Sequence, residues 1–540
     1  MELSAPRRRL LRGAASLGAA GWGAACAPGS GGAGADGARG DGGGSAGQAA
    51  RTAVPWRGGT DPFTLGVASG RPTSVGATLW TRLAPEPLSE AGGMPPTPVQ
   101  VRWEVAEDRE GARPLRVGLL TARAEWAHSV RVEVTGLRPD RHYRYRFASG
   151  DAVSPTGRFR TAPAAGEGDR LRIVYASCQQ YEQGHYGAWR HAVADAPDLV
   201  VFLGDYIYES SWGRRLVRRH DPGVPTTLEA YRRRHALYRT DPDLQAAHAA
   251  CAWVVTWDDH EVDNDYANDR SQRADPPESF LERRAAAYRA YFEHMPLPWS
   301  MAPRGASMRV FGELDWGALL RLHVLDDRQY RSPQACTPPG QGGSRTVGSE
   351  CAERHDPALT MLGAEQEAWF ARSMSGSRAR WNVVAQQTLI GRADSRPGPP
   401  EGWWTDGWDG YTAARRRLLH AVRAAGAANP IAIGGDVHAF YAGELHEDFD
   451  RPGARPAMLE FVGTSITSQT WGQARIDAVV AENPNLHYGE GRFRGYTRLD
   501  VGRDRAEVAM RGITDPADPR TDCRTLRRFA LRDGAMRLDA

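Results

Sequence analysis

Leu199-Val200-Val201-Phe202-Leu203-Gly204-Asp205-Tyr206-Ile207-Tyr208-Glu209 is a β-rich apolar run that ends abruptly in a glycine, acids and tyrosines. The design recurs. Leu171 to Tyr175 leads into Ala176-Ser177-Cys178-Gln179, and Trp253 to Trp257 into Asp258-Asp259-His260-Glu261. Ile431 to Ile433 leads into Gly434-Gly435-Asp436-Val437-His438. Each strand is expected to deliver one polar cluster to a sheet edge. Converging Cys, Asp, Tyr, Asn and His are what a multi-metal hydrolase needs, so the chain reads as an enzyme.

Outward from these runs, strands and helices alternate from about residue 170, the pattern of an α/β domain spanning about 170–535. Leu228 to Thr240, Leu281 to His294 and Glu365 to Ser375 are amphipathic helices, and Asp241-Pro242 supplies an N-cap and a first-turn proline. Ser332 to Asp356 reads as a loop or insertion. Before the α/β domain, 59–163 holds short alternating strands around Ala77 to Arg82, Val99 to Val105, Val130 to Val134 and Tyr143 to Phe147. That predicts a small antiparallel β-sandwich, with Gly136 to Tyr143 resembling the strand corner of fibronectin type III modules. Residues 1–58 are a leader and Gly/Ala-rich linker. Arg7-Arg8-Arg9-Leu10-Leu11-Arg12 and the weakly apolar run after it form a twin-arginine export signal, implying the twin-arginine machinery as a partner and a periplasmic, surface or secreted location. Cys26 is a candidate lipidation site.

Length and composition bound the rest. A chain of 540 residues, 25% charged and 41% hydrophobic, has the composition of a soluble protein of two domains plus a leader. A net charge of +3 gives no case for nucleic acid, and the expected state is a monomer. Lysine does not occur, which removes Walker-type phosphate loops and Schiff-base chemistry. Of the cysteines, Cys336 and Cys351 flank a Pro/Gly/Ser loop and are candidates for a disulfide. Cys251 reads as a core residue, and Cys178 stands in a chemical neighbourhood.

In Gly204-Asp205-x-x-Tyr208, an aspartate that can bridge two cations is followed by a tyrosine that can reach the same ion as a phenolate, a ligand favouring trivalent iron; the alternative is a strand-ending aspartate that caps a turn beside packed tyrosines. Cys178 as thiolate is a further ligand to the same ion. The acidic stretch from Asp258 to Asp265 suits calcium, with His260 as a ligand or as an acid toward a leaving oxygen. Asp436 and His438, two apart after a short strand, are expected to face the same way. The Gly434-Gly435 pair is expected to let backbone approach an ion. Asp406 and Asp409 are further carboxylate candidates, and the Asp327-Arg328 pair is either structural or in contact with an anionic substrate.

Taken in order, these motifs resemble the PhoD-type alkaline phosphatases of the metallophosphoesterase class. The likeness also takes in Phe63 to Gly70, Leu79-Trp80-Thr81-Arg82, Tyr238 to Pro242, Glu293 to Pro296, Leu362 to Gln366, Trp408 to Tyr411 and Phe461 to Ser468. The resemblance implies a catalytic domain of two packed mixed β-sheets flanked by helices, behind a fibronectin-III-like β-sandwich. It implies ferric iron held by Cys178, Asp205, Tyr208 and His438. Calcium would be held by Asp205 with Asp259, Asn264, Asp406 or Asp409, and Asp436. Two departures stand out: Gly70-Arg71-Pro72 where the family usually has Gly-Asp-Pro, and Asp327 where a threonine is usual before Arg328. The expected function is an exported phosphatase that uses metal-assisted in-line attack on monoesters, and also on diesters, with His260 as acid and Arg328 holding phosphate. The rivals are a phosphodiesterase acting on nucleotides, phospholipids or wall polymers, and a secreted binding protein whose metals are structural.

Overall fold

Strands that must be apolar on both faces form the centre of the molecule. In the computed structural model, which describes residues 60–221, 223–451 and 455–538, Arg170–Ala176, Leu199–Phe202, Ala252–Val255 and Val67–Thr73 run parallel in a nine-stranded sheet. Leu320–Val324, Trp381–Ala385, Pro430–Gly434 and Met458–Val462 run parallel in a seven-stranded one. Alternate side chains serve opposite faces. Ile173, Tyr175, Val201 and Val254 meet Leu322, Val383, Ile433 and Phe461 between the sheets. Val174, Phe202, Trp253 and Val255 turn outward to pack on Trp189, Tyr231, Leu244 and Tyr288 from helices. On the far side Val384 and Ala432 pack on Trp369, Phe370, Leu418 and Leu419. The catalytic layers are two mixed β-sheets flanked by helices.

Helix boundaries follow their caps. Pro242–Ala250 begins at Asp241, whose carboxylate accepts from the N–H groups of Asp243 and Leu244. Leu228–Arg239 begins at Thr227, which accepts from Ala230 N–H. The 332–356 stretch is mostly irregular, and the structure joins Cys336 to Cys351 across it.

The N-terminal strands divide between two layers. Val99–Glu107, Pro114–Ala122, His142–Ser149 and Ala152–Val153 form an antiparallel sheet that Gly157–Arg160 joins. Its corner is tied by Tyr143, whose hydroxyl accepts from Arg138 N–H (2.9 Å) and donates to Arg138 O (3.3 Å), the tyrosine-corner arrangement. Gly76–Arg82 and Ser129–Val134 instead extend the nine-stranded sheet, because Val67–Thr73 pairs parallel with Ala252–Val255. One layer of the sandwich is thus continuous with the catalytic sheet. The leader, Cys26 and the rest of 1–58 lie outside the described residues. No helix among the described residues is long and apolar enough to cross a membrane.

The glycine pair sits where two loops approach closely. A Cβ on Gly434 would lie 2.1 Å from Thr388 O, and one on Gly435 would lie 2.3 Å from Ser177 Oγ. Both glycines let neighbouring loops close on each other. Gly434→Ala is expected to cost about 1–3 kcal/mol, typical of an overpacked core. Thermal or denaturant unfolding checks this, and an unchanged midpoint would show that the loop yields.

Candidate metal centre at the strand ends

The parallel strands of both sheets end on one side, where open α/β sheets place their ligands. The chain there turns sharply. Cys178 (φ 59°), Asp205 (φ 57°), Asp436 (φ 61°) and His438 (φ 54°) all occupy the left-handed region. Each such residue costs of order 1–3 kcal/mol unless its surroundings over-determine it. One buried carboxylate ties the Asp205–Tyr206 turn to the Asp258–Glu261 turn. Glu261 accepts from the N–H groups of Asp205 (3.1 Å), Tyr206 (2.6 Å) and Asp258 (2.9 Å). Asp436 and His438 lie beyond the end of their strand at Gly434, so turn geometry sets where they point, and strand alternation does not.

The turns bring Cys178, Asp205 and His438 together, with one donor atom from each lying within 4.8 Å of the others. Tyr208 completes the group. Its hydroxyl donates to Asp205 Oδ2 (2.8 Å), lies 3.3 Å from His438 Nε2 and accepts from Ser468 Oγ (2.8 Å). His438 donates Nδ1–H to Gln469 O (2.7 Å), which leaves Nε2 unprotonated and facing the cluster. Asp205, Asp259 and His260 form a second such group, and Asp259, Asp265 and Asp406 a third. Asp436 is fixed by Thr388, whose hydroxyl donates to Oδ2 (2.6 Å).

Electrostatics show what the protein atoms alone fail to satisfy. Burial, then the Asp205 and Asp436 carboxylates, push the Cys178 thiol well above its usual range. Burial, then Asp205 and Cys178, do the same to Tyr208. Asp205 and Asp258 are pushed well up, chiefly by burial, and Asp436 to about 6. Asp205 Oδ1 and Asp258 Oδ2 are buried without a hydrogen-bond partner. Bound cations would invert each of these tendencies. The residues present therefore fit a metal group: a thiol, a phenol, an imidazole and a bridging carboxylate at one end, with carboxylates only at the other.

His260 is held by a residue that sequence reading passed over. Glu209 Oε2 grips Nδ1 at 2.6 Å, and the ring lies 4.1 Å from that of Tyr208. Burial alone would lower the His260 pKa, yet Glu209, Asp259 and Asp205 together hold it well above its ordinary value. Nδ1 is thus committed to Glu209, which leaves Nε2 as the ring nitrogen that could pass a proton to a substrate.

Several expected roles change. Arg328 faces the acidic wall: it pairs with Asp258, lies 2.7 Å from Asp406 and 3.7 Å from Asp259, and is buried. Asp409 does not reach the centre. Its Oδ1 pairs with Arg415 (2.6 Å) and its Oδ2 accepts from Ala393 N–H (2.9 Å), which leaves Asp406 as the carboxylate of that segment at the site. Asn264 is half-buried and touches the site through its backbone, which donates to Glu209 Oε1 (3.3 Å). Asp327 is buried with Oδ1 unpartnered, and burial pushes its pKa up to about 7. Asp258 and Asp265 also belong to the wall. Both lie in the acidic stretch already singled out, but spacing alone does not sort its members.

Such a fold and donor set define a metallophosphoesterase-like hydrolase. Residues 173–510 match the model for PhoD-like phosphatase, and residues 47–163 match that for the PhoD-like phosphatase N-terminal domain. Alkaline phosphatase D of Bacillus subtilis (strain 168) is 44% identical over 451 residues, covering 82% of this chain and 76% of that protein. A solved structure described as PhoD superposes with a TM-score of 0.83 at 40% identity, covering 89% of this chain and 93% of the other. Purple acid phosphatase PPD1 from yellow lupin (Lupinus luteus) shares the fold alone, at a TM-score of 0.51 and 11% identity over 86% of this chain and 73% of that one. The chain belongs to the PhoD-like phosphatase family, and it is a phosphoric ester hydrolase.

The Glu209–His260 pair makes a signed prediction. An acid must be protonated to act, so activity falls on the alkaline side as pH rises through the His260 pKa. Glu209→Gln removes the carboxylate that raises that pKa most. The alkaline limb should move to lower pH and kcat should fall by about tenfold, whereas His260→Ala should lose ~10²–10⁴-fold. A pH–rate profile with an unmoved alkaline limb in Glu209→Gln would assign His260 another role.

Proposed function

We propose that this phosphatase is exported by the twin-arginine route and hydrolyses phosphate esters at a centre of ferric iron and calcium. One observation carries the reading: Cys178, Asp205, Tyr208 and His438, from three distant loops, point their donor atoms at one place beside a wall of carboxylates. Cys178, Asp205, Tyr208 and His438 would hold the iron, since thiolate, phenolate and imidazole together suit a redox-capable trivalent ion. Asp205, Asp259, Asp265, Asp406 and Asp436 would hold calcium, which takes oxygen ligands in flexible number. Bound there, the metals supply Lewis acidity toward the phosphate oxygens of the ester.

The chain's own residues do the rest. Glu209 fixes the ring and charge of His260, which delivers its proton to the departing alkoxide. Gln469 O fixes the tautomer of His438. Arg328 spans Asp258, Asp259 and Asp406, offsetting their mutual repulsion and holding the acidic wall in shape. Monoesters are the primary substrate, and diesters follow if the leaving group is small enough to lie along the same wall.

Elemental analysis of purified protein together with turnover of p-nitrophenyl phosphate and bis-p-nitrophenyl phosphate tests this reading. Iron and calcium should both be found. Cys178→Ser and Asp205→Asn should each lose iron and at least ~10²-fold in kcat/KM, the scale of a lost catalytic element. Full activity in either variant removes the iron assignment, and a large excess of diester over monoester turnover makes monoesterase the wrong description.

A further inference from the structure

The wall of the centre nearest His438 is built by a loop that the chemistry so far leaves unused. Trp212 lies almost parallel to the His438 ring (7°, centroids 5.8 Å apart), with its own ring 6.3 Å from that of Tyr208. Its Nε1–H is buried and has no acceptor among the described residues. Gly213 (φ 97°) lets the chain turn tightly here, since a Cβ would lie 2.5 Å from Gln183 Nε2. Arg214 N–H then donates to Gln469 Oε1 (2.9 Å), and Gln469 Nε2 returns a bond to Arg214 O. The same residue's carbonyl accepts from His438 Nδ1–H. Gln469 therefore ties this loop directly to the imidazole of the centre.

Past that tie the loop carries charge with nothing to balance it. Ser211 to His220 contains four arginines and no acid. Arg218 pairs with Asp241, but Arg214 and Arg215 are exposed and form no ion pair among the described residues. Beside them Leu216 is 43% exposed and Trp471, two residues beyond Gln469, is 46% exposed, with Arg475 stacked 3.9 Å above its ring. Across the centre the opposite wall is acidic, formed by Asp258, Asp259, Asp265 and Asp406. The loops around the centre thus differ in charge: carboxylates in the segments of Asp258 to Asp265 and Asp406, and guanidiniums without an ion-pair partner among the described residues, with an exposed indole, in the segments joined by Gln469.

We propose that the Trp212–Leu216 loop is a specificity element that favours esters bearing a second phosphate beyond the one hydrolysed. Arg214 and Arg215 take that phosphate, for which the planar guanidinium is a matched donor. Trp212 and Trp471 flank the carbon skeleton between the two. The inference rests on the phosphatase reading above and adds the substrate class. Exposed charges act at a distance and are screened by salt, so the preference belongs in kcat/KM at low ionic strength and leaves kcat nearly unchanged.

Fructose 6-phosphate and fructose 1,6-bisphosphate differ only by the second phosphate and form the test pair, with p-nitrophenyl phosphate as the reference ester. The full-length, metal-loaded protein is compared with its Arg214→Ala/Arg215→Ala variant. The wild type is expected to favour the bisphosphate by roughly tenfold in kcat/KM at low salt, beyond the statistical factor of two from two scissile groups. That advantage should shrink in the variant, through KM, and in the wild type at high salt, while p-nitrophenyl phosphate turnover stays the same. A bisphosphate advantage that survives in the variant overturns the proposal, and so does its absence in a wild type that still cleaves p-nitrophenyl phosphate. An equal loss on all three substrates assigns the loop a purely structural part and overturns it too. A wild type inactive on every ester would instead strike the phosphatase reading beneath it.

Discussion

Crowded, buried negative charge is the constraint on which this molecule depends. Asp205, Asp258, Asp259 and Asp406 are each almost wholly buried, Asp436 is half-buried, and Asp265 lies beside them. Arg328, Arg331 and His260 are the cations that protein atoms set against them. Two like charges 4 Å apart repel by about 4 kcal/mol at an effective dielectric of 20. A wall of this kind is tolerable only if protons or bound cations make up the difference. The upward push on the Asp205 and Asp258 pKa values and the unpartnered oxygens on both are the same imbalance seen in two ways.

That electrostatic cost is joined by a conformational one, and the fold is arranged to carry both. Five of the residues proposed to bind metal, Cys178, Asp205, Asp265, Asp436 and His438, sit on left-handed backbone, where only a rigid frame keeps them. The frame is the pair of sheets, fixed by a shared apolar core and by Glu261, which binds three backbone N–H groups and ties the Asp205 loop to its own. Loops of opposite sheets also meet directly, through the Ser177 to Ser465 bridge and the bond from Ser468 Oγ to Cys178 O. Neither sheet alone could assemble the donors, because Cys178 and Asp205 come from one and His438 from the other.

Much of this was legible in the sequence, for a physical reason. Strands buried on both faces must be continuously apolar, and the polar residues that end them are therefore visible as breaks; Leu199 to Asp205 and Ile431 to Asp436 are examples. Capping chemistry is equally local, so Asp241 announced its helix. What is not local was not legible. The parallel pairing of Val67–Thr73 with Ala252–Val255 joins stretches far apart in the chain, and no nearby residue encodes it. The meander Arg494–Gly502, Arg505–Ile513 and Cys523–Arg532 carries too many arginines to register as an apolar run. Asp406 and Asp409 are indistinguishable by spacing until Arg415, on the next helix, claims the second. Glu209 stood inside a recognised motif, but its partner His260 is 51 residues away.

The loop closed by Cys336 and Cys351 bears on the same acidic wall. Within or beside it, Gln334 donates to Asp406 Oδ1 (2.8 Å) and to Asp265 O (2.7 Å), and Ser344 N–H donates to Asp265 Oδ2 (3.1 Å). Asp265 is otherwise poorly placed to stay ionised: burial, then Asp406 and Asp259, push it up to about 7. Closing a 15-residue loop removes about 3 kcal/mol of chain entropy from the unfolded state. The cross-link therefore restrains the segment that supplies hydrogen bonds to Asp265 and Asp406. Among the described residues the group of Asp259, Asp265 and Asp406 holds carboxylates alone, and a covalent tie in its supporting loop takes the part that Tyr208 and Ser468 play around Cys178.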